Sequence, residues 1–135
     1  MAFRFLDHTA DVQAECRAAT FEQLLETAAG ALYAIAIKDV RSSAGVERML
    51  EVSGTGREEL LVRWLQELIY LMDVKRFVAT EFDFERADSR VARACLGGYI
   101  HDPGARAEEV KGATYHELEL RETDDGFLAR VIFDL

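Results

Sequence analysis

Residues 55–72 read TGREELLVRWLQELIYLM, and this stretch decides the fold. Leu61, Trp64, Leu65, Leu68 and Met72 recur at the three- and four-residue spacing of one helix face. Arg57, Glu59, Arg63 and Glu67 lie mostly off that stripe, and Glu59 precedes Arg63 by four residues, the favourable order for an ion pair. Thr55 with Glu58 three residues on predicts a capping box, and the helix is expected to end near Asp73. A helix with such a stripe must bury it, so Trp64 is read as core rather than as a ligand-binding ring. The flanks say against what. Val46–Ser53 (VERMLEVS) alternates before it; Phe77–Arg86 and Ser89–Leu96 follow as two strands joined at Ala87-Asp88.

Further out the same logic repeats. Phe3–Leu6 and Val12–Ala18 predict two strands. Thr20 and Gln23 predict a capping box opening a helix that runs to about Ile37, with Phe21, Leu24, Leu25, Ala28, Leu32 and Ile35 on its apolar face. Its Ala-rich middle lets another element approach closely. Gly97-Gly98 is expected to interrupt a strand, and Tyr99 to Glu109 to form a loop. Lys111–Arg121 and Gly126–Leu135 alternate as strands across a hairpin turn at Glu122–Gly126. In the last strand Phe127, Ala129, Val131, Phe133 and Leu135 share one face; Leu128, Arg130, Ile132 and Asp134 share the other. The expected class is α+β: two helices packed on a largely antiparallel β-sheet, in a single domain over residues 1–135.

The 135 residues suit one core, and half of them are hydrophobic. A net charge of -9 opposes sequence-independent binding to phosphate backbones, so no strong nucleic-acid binding is expected. It favours a basic protein partner, a cation or simple solubility. Cys16 and Cys95 lack any CxxC or zinc spacing and are expected as buried, inert thiols in a reducing compartment. No stretch approaches the ~20 apolar residues of a membrane span, and no signal-like run opens the chain, so a cytoplasmic location is expected.

No phosphate-binding loop, dinucleotide fingerprint, HExxH or GxSxG motif is present. His8, His101 and His116 do not stand at metal-ligand spacing from one another. The concentrated chemistry is Asp7-His8-Thr9-Ala10-Asp11, at a junction between two strands. Two readings stand open: an Asx-type turn, or an Asp that helps hold a hard cation. Asp134, inside a hydrophobic terminal strand, needs a partner, because an uncompensated carboxylate is costly there. If the last strand lies beside the first, Asp134 and Asp11 approach each other, and an oxygen of Leu135 adds to the set. Such an all-oxygen site suits calcium or magnesium better than zinc. A frayed, exposed end is the plain alternative.

Asp7-His8-Thr9-Ala10-Asp11, the Trp64-Leu65-Gln66-Glu67-Leu68 helix, Lys111-Gly112-Ala113-Thr114-Tyr115-His116 and the closing Phe133-Asp134-Leu135 together resemble the archease family nearly end to end. Gln66 stands where the family usually has Asn. The resemblance implies a small acidic protein that is not itself an enzyme. It implies an assistant of the RNA-splicing ligase RtcB in tRNA splicing and repair, promoting guanylylation and multiple turnover of the ligase. It also implies a divalent cation, calcium, on Asp11, Asp134 and Leu135, with Lys111 and the Asp7/His8 stretch linked to activation of the partner. Two rivals from other classes are a small metal-dependent nucleotide hydrolase using Asp11, Asp134 and His8, and a metal-free acidic scaffold or chaperone-like module.

Overall fold

The structure, a computed structural model, describes residues 2–6 and 11–135. The elements follow in the order β1 (Ala2–Leu6), β2 (Asp11–Ala18), α1 (Phe21–Ala36), β3 (Val46–Ser53), α2 (Arg57–Val74), β4 (Phe77–Ala87), β5 (Val91–Ile100), a single 3-10 turn (Pro103–Ala105), β6 (Gly112–Thr123) and β7 (Gly126–Asp134). The class is α+β, as the patterning requires. The strands divide into two sheets, a four-stranded one in the order β1-β2-β7-β6 and a three-stranded one in the order β3-β5-β4. Every strand pair is antiparallel. Each helix touches both sheets: α1 packs on β1, β2 and β7 and reaches β4, while α2 packs on β6 and on β3, β4 and β5.

The stripe that announced α2 is fully enclosed, with Leu61, Trp64, Leu65, Leu68 and Met72 all at zero exposure. Trp64 joins the layers. Its indole N–H donates to the Leu25 carbonyl of α1 at 3.0 Å, which satisfies a polar atom in the core. Its ring lies 5.5 Å from Phe84 and 6.1 Å from Phe82 of β4. Across the helix pair, Ala28, Ala29 and Ala31 are buried without remainder, so the small residues of α1 do admit a close neighbour.

Helix starts divide. Thr20 caps α1 as expected, its hydroxyl accepting from the Gln23 N–H at 3.2 Å. The Thr55/Glu58 box at α2 does not form: Gly56 is the N-cap and offers no side chain. Glu59 instead reaches back to accept the Thr55 N–H at 3.1 Å. A one-residue shift of the start leaves Glu59, not Glu58, on the side that faces the entering chain.

Gly97-Gly98 does not interrupt β5, which continues to Ile100. The pair serves approach rather than breakage. A Cβ added at Gly98 would fall 1.9 Å from the Val78 carbonyl oxygen, where the β4–β5 register shifts. The β6–β7 hairpin closes on Asp124-Asp125, with Thr123 paired to Gly126, whose φ of +137° explains the glycine. A register shift between Thr114 and Glu119 bends β6, with Glu117 at a φ of +53°. Cys16 is enclosed, and burial chiefly, then the Glu15 charge, pushes its thiol up to about 12. Cys95 departs from expectation: it is half-buried on the outer face of β5.

Candidate functional site

β2 and β7 lie side by side at the centre of the four-stranded sheet, and their register fixes the site. Ala14, Cys16, Ala129, Val131 and Phe133 point to the core and the helices. The alternate residues therefore line the outer face in transverse rows. Asp11 opposes Asp134, which on its other side opposes Gly112. The next row is Leu6, Gln13, Ile132 and Thr114; then Arg4, Glu15, Arg130 and Glu119; then Ala2, Arg17, Leu128 and Arg121.

The two acids singled out in the sequence, far apart along the chain, are thus direct cross-strand partners. Side chains opposed in this way have Cβ atoms about 5 Å apart, and like charges there repel. Asp11 is half-buried and Asp134 exposed. Lys111 comes to the same place, its backbone N–H donating to the Asp134 carbonyl at 2.7 Å. Leu135 is the residue next to Asp134 and is half-buried against the core. Asp11, Asp134, Lys111 and Leu135 are therefore gathered at one end of the sheet. Asp7 and His8 lie outside the described residues. Among the described residues, no group of three or more His, Cys, Asp or Glu side chains clusters as a metal site. The donor set the described chain offers is two carboxylates and main-chain oxygens, which is the hard-oxygen chemistry of calcium and magnesium.

The two described histidines, His101 and His116, are elsewhere. His116 is largely exposed, 3.7 Å from Glu117. His101 is buried, with its ring nitrogens 3.0 Å from the Asp102 and Met72 carbonyl oxygens, closing the C-terminal turn of α2. A cleft of about 590 Å³ lies at the other end of β6, between Leu120–Glu122 and the start of α2. Its Arg57 is already engaged, lying over the Phe21 and Phe127 rings and donating to Glu122 at 3.3 Å.

One group of charged residues was not legible as a group. Glu15 is buried to 2 % exposure on the outer face and receives Arg4 at 3.0 Å, Arg130 at 2.9 Å and Arg17 at 3.4 Å. The Arg4 and Arg130 hydrogen bonds hold its carboxyl down to about 2, against the opposing effect of burial. Glu119 extends the row, pairing with Arg130 at 3.4 Å and Arg121 at 3.1 Å. The signal in the sequence was the alternation of Arg130 with Leu128 and Ile132, but its partners Glu15 and Glu119 come from two other strands, β2 and β6.

The profile of the Archease protein family matches residues 3–135. The chain belongs to the archease family. Relatives agree over their full lengths: the archease of Archaeoglobus fulgidus is 35 % identical, with all of both chains covered. That of Methanosarcina barkeri is 32 % identical over 98 % of this chain and 95 % of its own. Among solved archease-fold structures, protein 1598 of Methanobacterium thermoautotrophicum superposes with a TM-score of 0.72 at 30 % identity, covering 98 % of each chain. The crystal structure of an archease from Thermotoga maritima, described as a possible chaperone, gives a TM-score of 0.69 at 20 % identity over 96 % of this chain and 94 % of that one, a likeness of fold. No helix among the described residues is long and apolar enough to cross a membrane.

Proposed function

We propose that this archease is a non-catalytic accessory protein that activates the RNA-splicing ligase RtcB in tRNA splicing, promoting its guanylylation and repeated turnover in the cytoplasm. Its working end is the acid pair Asp11/Asp134 with an oxygen of Leu135, which hold a divalent cation, calcium. The observation that carries the reading is the register: the first residue of β2 and the last of β7 stand opposite each other with their charges of like sign. Two carboxylates brought together repel, and a cation between them offsets that repulsion. The oxygen donors fit a hard divalent ion, and Asp134 is held in place by the Lys111 backbone N–H. When bound, the ion supplies positive charge suited to the phosphate oxygens of a nucleotide.

The chain's own part is to position. β2 and β7 fix the acid pair within an antiparallel ladder, so the carboxylates present at one edge of a rigid sheet rather than on a loop. Lys111 leads into β6 beside them, and its exposed ammonium is available to a partner's phosphate or carboxylate. Asp7 and His8 belong to the connection between β1 and β2 in sequence, and their role rests on the family motif.

The deciding experiment is RNA ligation by the ligase of the same organism, with and without this protein, GTP and divalent ions. Asp11→Ala or Asp134→Ala is expected to remove the stimulation while the fold persists. Unchanged stimulation by both variants refutes the acid pair as the working end. GTP hydrolysis by the purified protein alone would replace this reading with that of a nucleotide hydrolase. Stimulation that needs no divalent ion would favour a metal-free scaffold.

A further inference from the structure

We infer that the outer face of the four-stranded sheet, beyond the acid pair, is a docking surface for an acidic segment of a partner protein. Four arginines, Arg4, Arg17, Arg121 and Arg130, stand there against two carboxylates, Glu15 and Glu119. In a chain of net charge -9 this is a local reversal of sign. The three flanking arginines keep 66 %, 59 % and 61 % of their side chains exposed (Arg4, Arg17 and Arg121), whereas Glu15 keeps 2 %. Each guanidinium carries five N–H donors, so one buried carboxylate and one half-exposed one leave most donors turned outward.

The array is also pre-ordered. Leu128 and Ile132 share this face and are buried to 0 % and 1 % exposure, although both helices pack on the opposite side of the sheet. Leu128 lies in register between Arg17 and Arg121, and an arginine stem can lie along apolar surface while its head stays in water. Glu15 accepts hydrogen bonds from both Arg4 and Arg130 and so holds the two guanidinium groups in place. Guanidinium groups fixed beforehand lose less freedom on binding, and their planar fork matches a carboxylate.

A protein carboxylate suits this face better than RNA does. Among the described residues, the rows of this face hold no ring for a base to stack on: Phe3 and Phe5 alternate with Arg4 and turn to the other side, where Phe3 lies against Gly30 of α1. Carboxylate pairing with a guanidinium needs none.

The test uses the full-length protein and fluorescein-labelled poly-L-glutamate at low ionic strength, followed by fluorescence anisotropy, with a single-stranded uridine homopolymer in parallel. Poly-L-glutamate is expected to bind and to release with added salt. The double variant Arg17→Glu, Arg121→Glu is expected to weaken it at least about tenfold. Arg17→Gln with Arg121→Gln, which keeps aliphatic cover over Leu128, is expected to weaken it by a smaller factor. Arg86→Gln, on β4 of the three-stranded sheet, is expected to bind as the parent does. Absence of poly-L-glutamate binding, equal binding by the glutamine pair, or tighter binding of the RNA through the same arginines overturns the inference. No ligase is present, so such a failure leaves the activation reading intact.

Discussion

Asp134→Asn gives a test in which stability and activity move in opposite directions. The substitution keeps the shape of the side chain and the Asp134 carbonyl that accepts the Lys111 N–H. It removes one of two like charges opposed across β2 and β7. Two unit charges about 5 Å apart near a surface repel by roughly 1 kcal/mol at an effective dielectric close to that of water. Any contact that Asp11 makes with other groups is common to parent and variant. In a chelating buffer of low ionic strength the variant is therefore expected to be about 1 kcal/mol more stable, roughly 4 °C in Tm for a chain of this size. Calcium is expected to raise the Tm of the parent, because an ion that binds only the folded state stabilises it, and to leave the variant unmoved. Differential scanning calorimetry with and without calcium measures both effects. A variant that melts earlier than the parent in chelator, or that gains as much from calcium, refutes the argument that these carboxylates repel each other and share an ion.

Three further outcomes follow from the packing and the charge rows. The Glu15 carboxyl is held at about 2 against an ordinary 4.5, so its contribution to stability is complete above about pH 4.5 and is lost as the pH falls toward 2. Glu15→Gln is expected to flatten the urea midpoint over that window and to lower it at pH 7, on the order of 2 kcal/mol for charged hydrogen bonds; a profile as steep as the parent's contradicts it. Trp64→Phe removes the indole donor to Leu25 and part of a fully buried ring, and a loss of about 2–4 kcal/mol is expected from chemical denaturation. Gly98→Ala would set a methyl group 1.9 Å from the Val78 carbonyl oxygen, and parting β4 from β5 there is expected to cost on the order of 3 kcal/mol, read as loss of soluble, cooperatively melting protein.

Helix and strand identities were legible because they rest on local periodicity. The Trp64 stripe and the Thr20 cap are settled within a few residues of chain, and the structure keeps both. What failed was chemistry decided by neighbours distant in sequence. Gly97-Gly98 looked like punctuation, yet the glycines answer to the Val78 backbone on the next strand. The Thr55 box is a different case, a local miss by one residue, since Gly56 caps the helix and Glu59 turns back. Division of the strands into two sheets was likewise hidden, since alternation marks a strand without naming its neighbours. At the site, Asp11 stood out within the Asp7–Asp11 cluster and Asp134 as an acid in apolar company. Their meeting was expected from the last strand lying beside the first, whereas β7 lies beside the second strand, β2, and the acids meet there. The cluster around Glu15 stayed invisible because Arg4, Arg17 and Arg130 look like ordinary solvated arginines until three strands lie side by side.

Glu15 and Arg130 are 115 residues apart in sequence, and the β2–β7 ladder that joins them also brings Asp11 to Asp134. Closing so long a loop costs more entropy than closing a hairpin. The acidic edge is therefore a contact between the two ends of the chain and not a property of any local segment. A half-assembled chain lacks it altogether, so a misfolded copy would be mute toward whatever reads that edge.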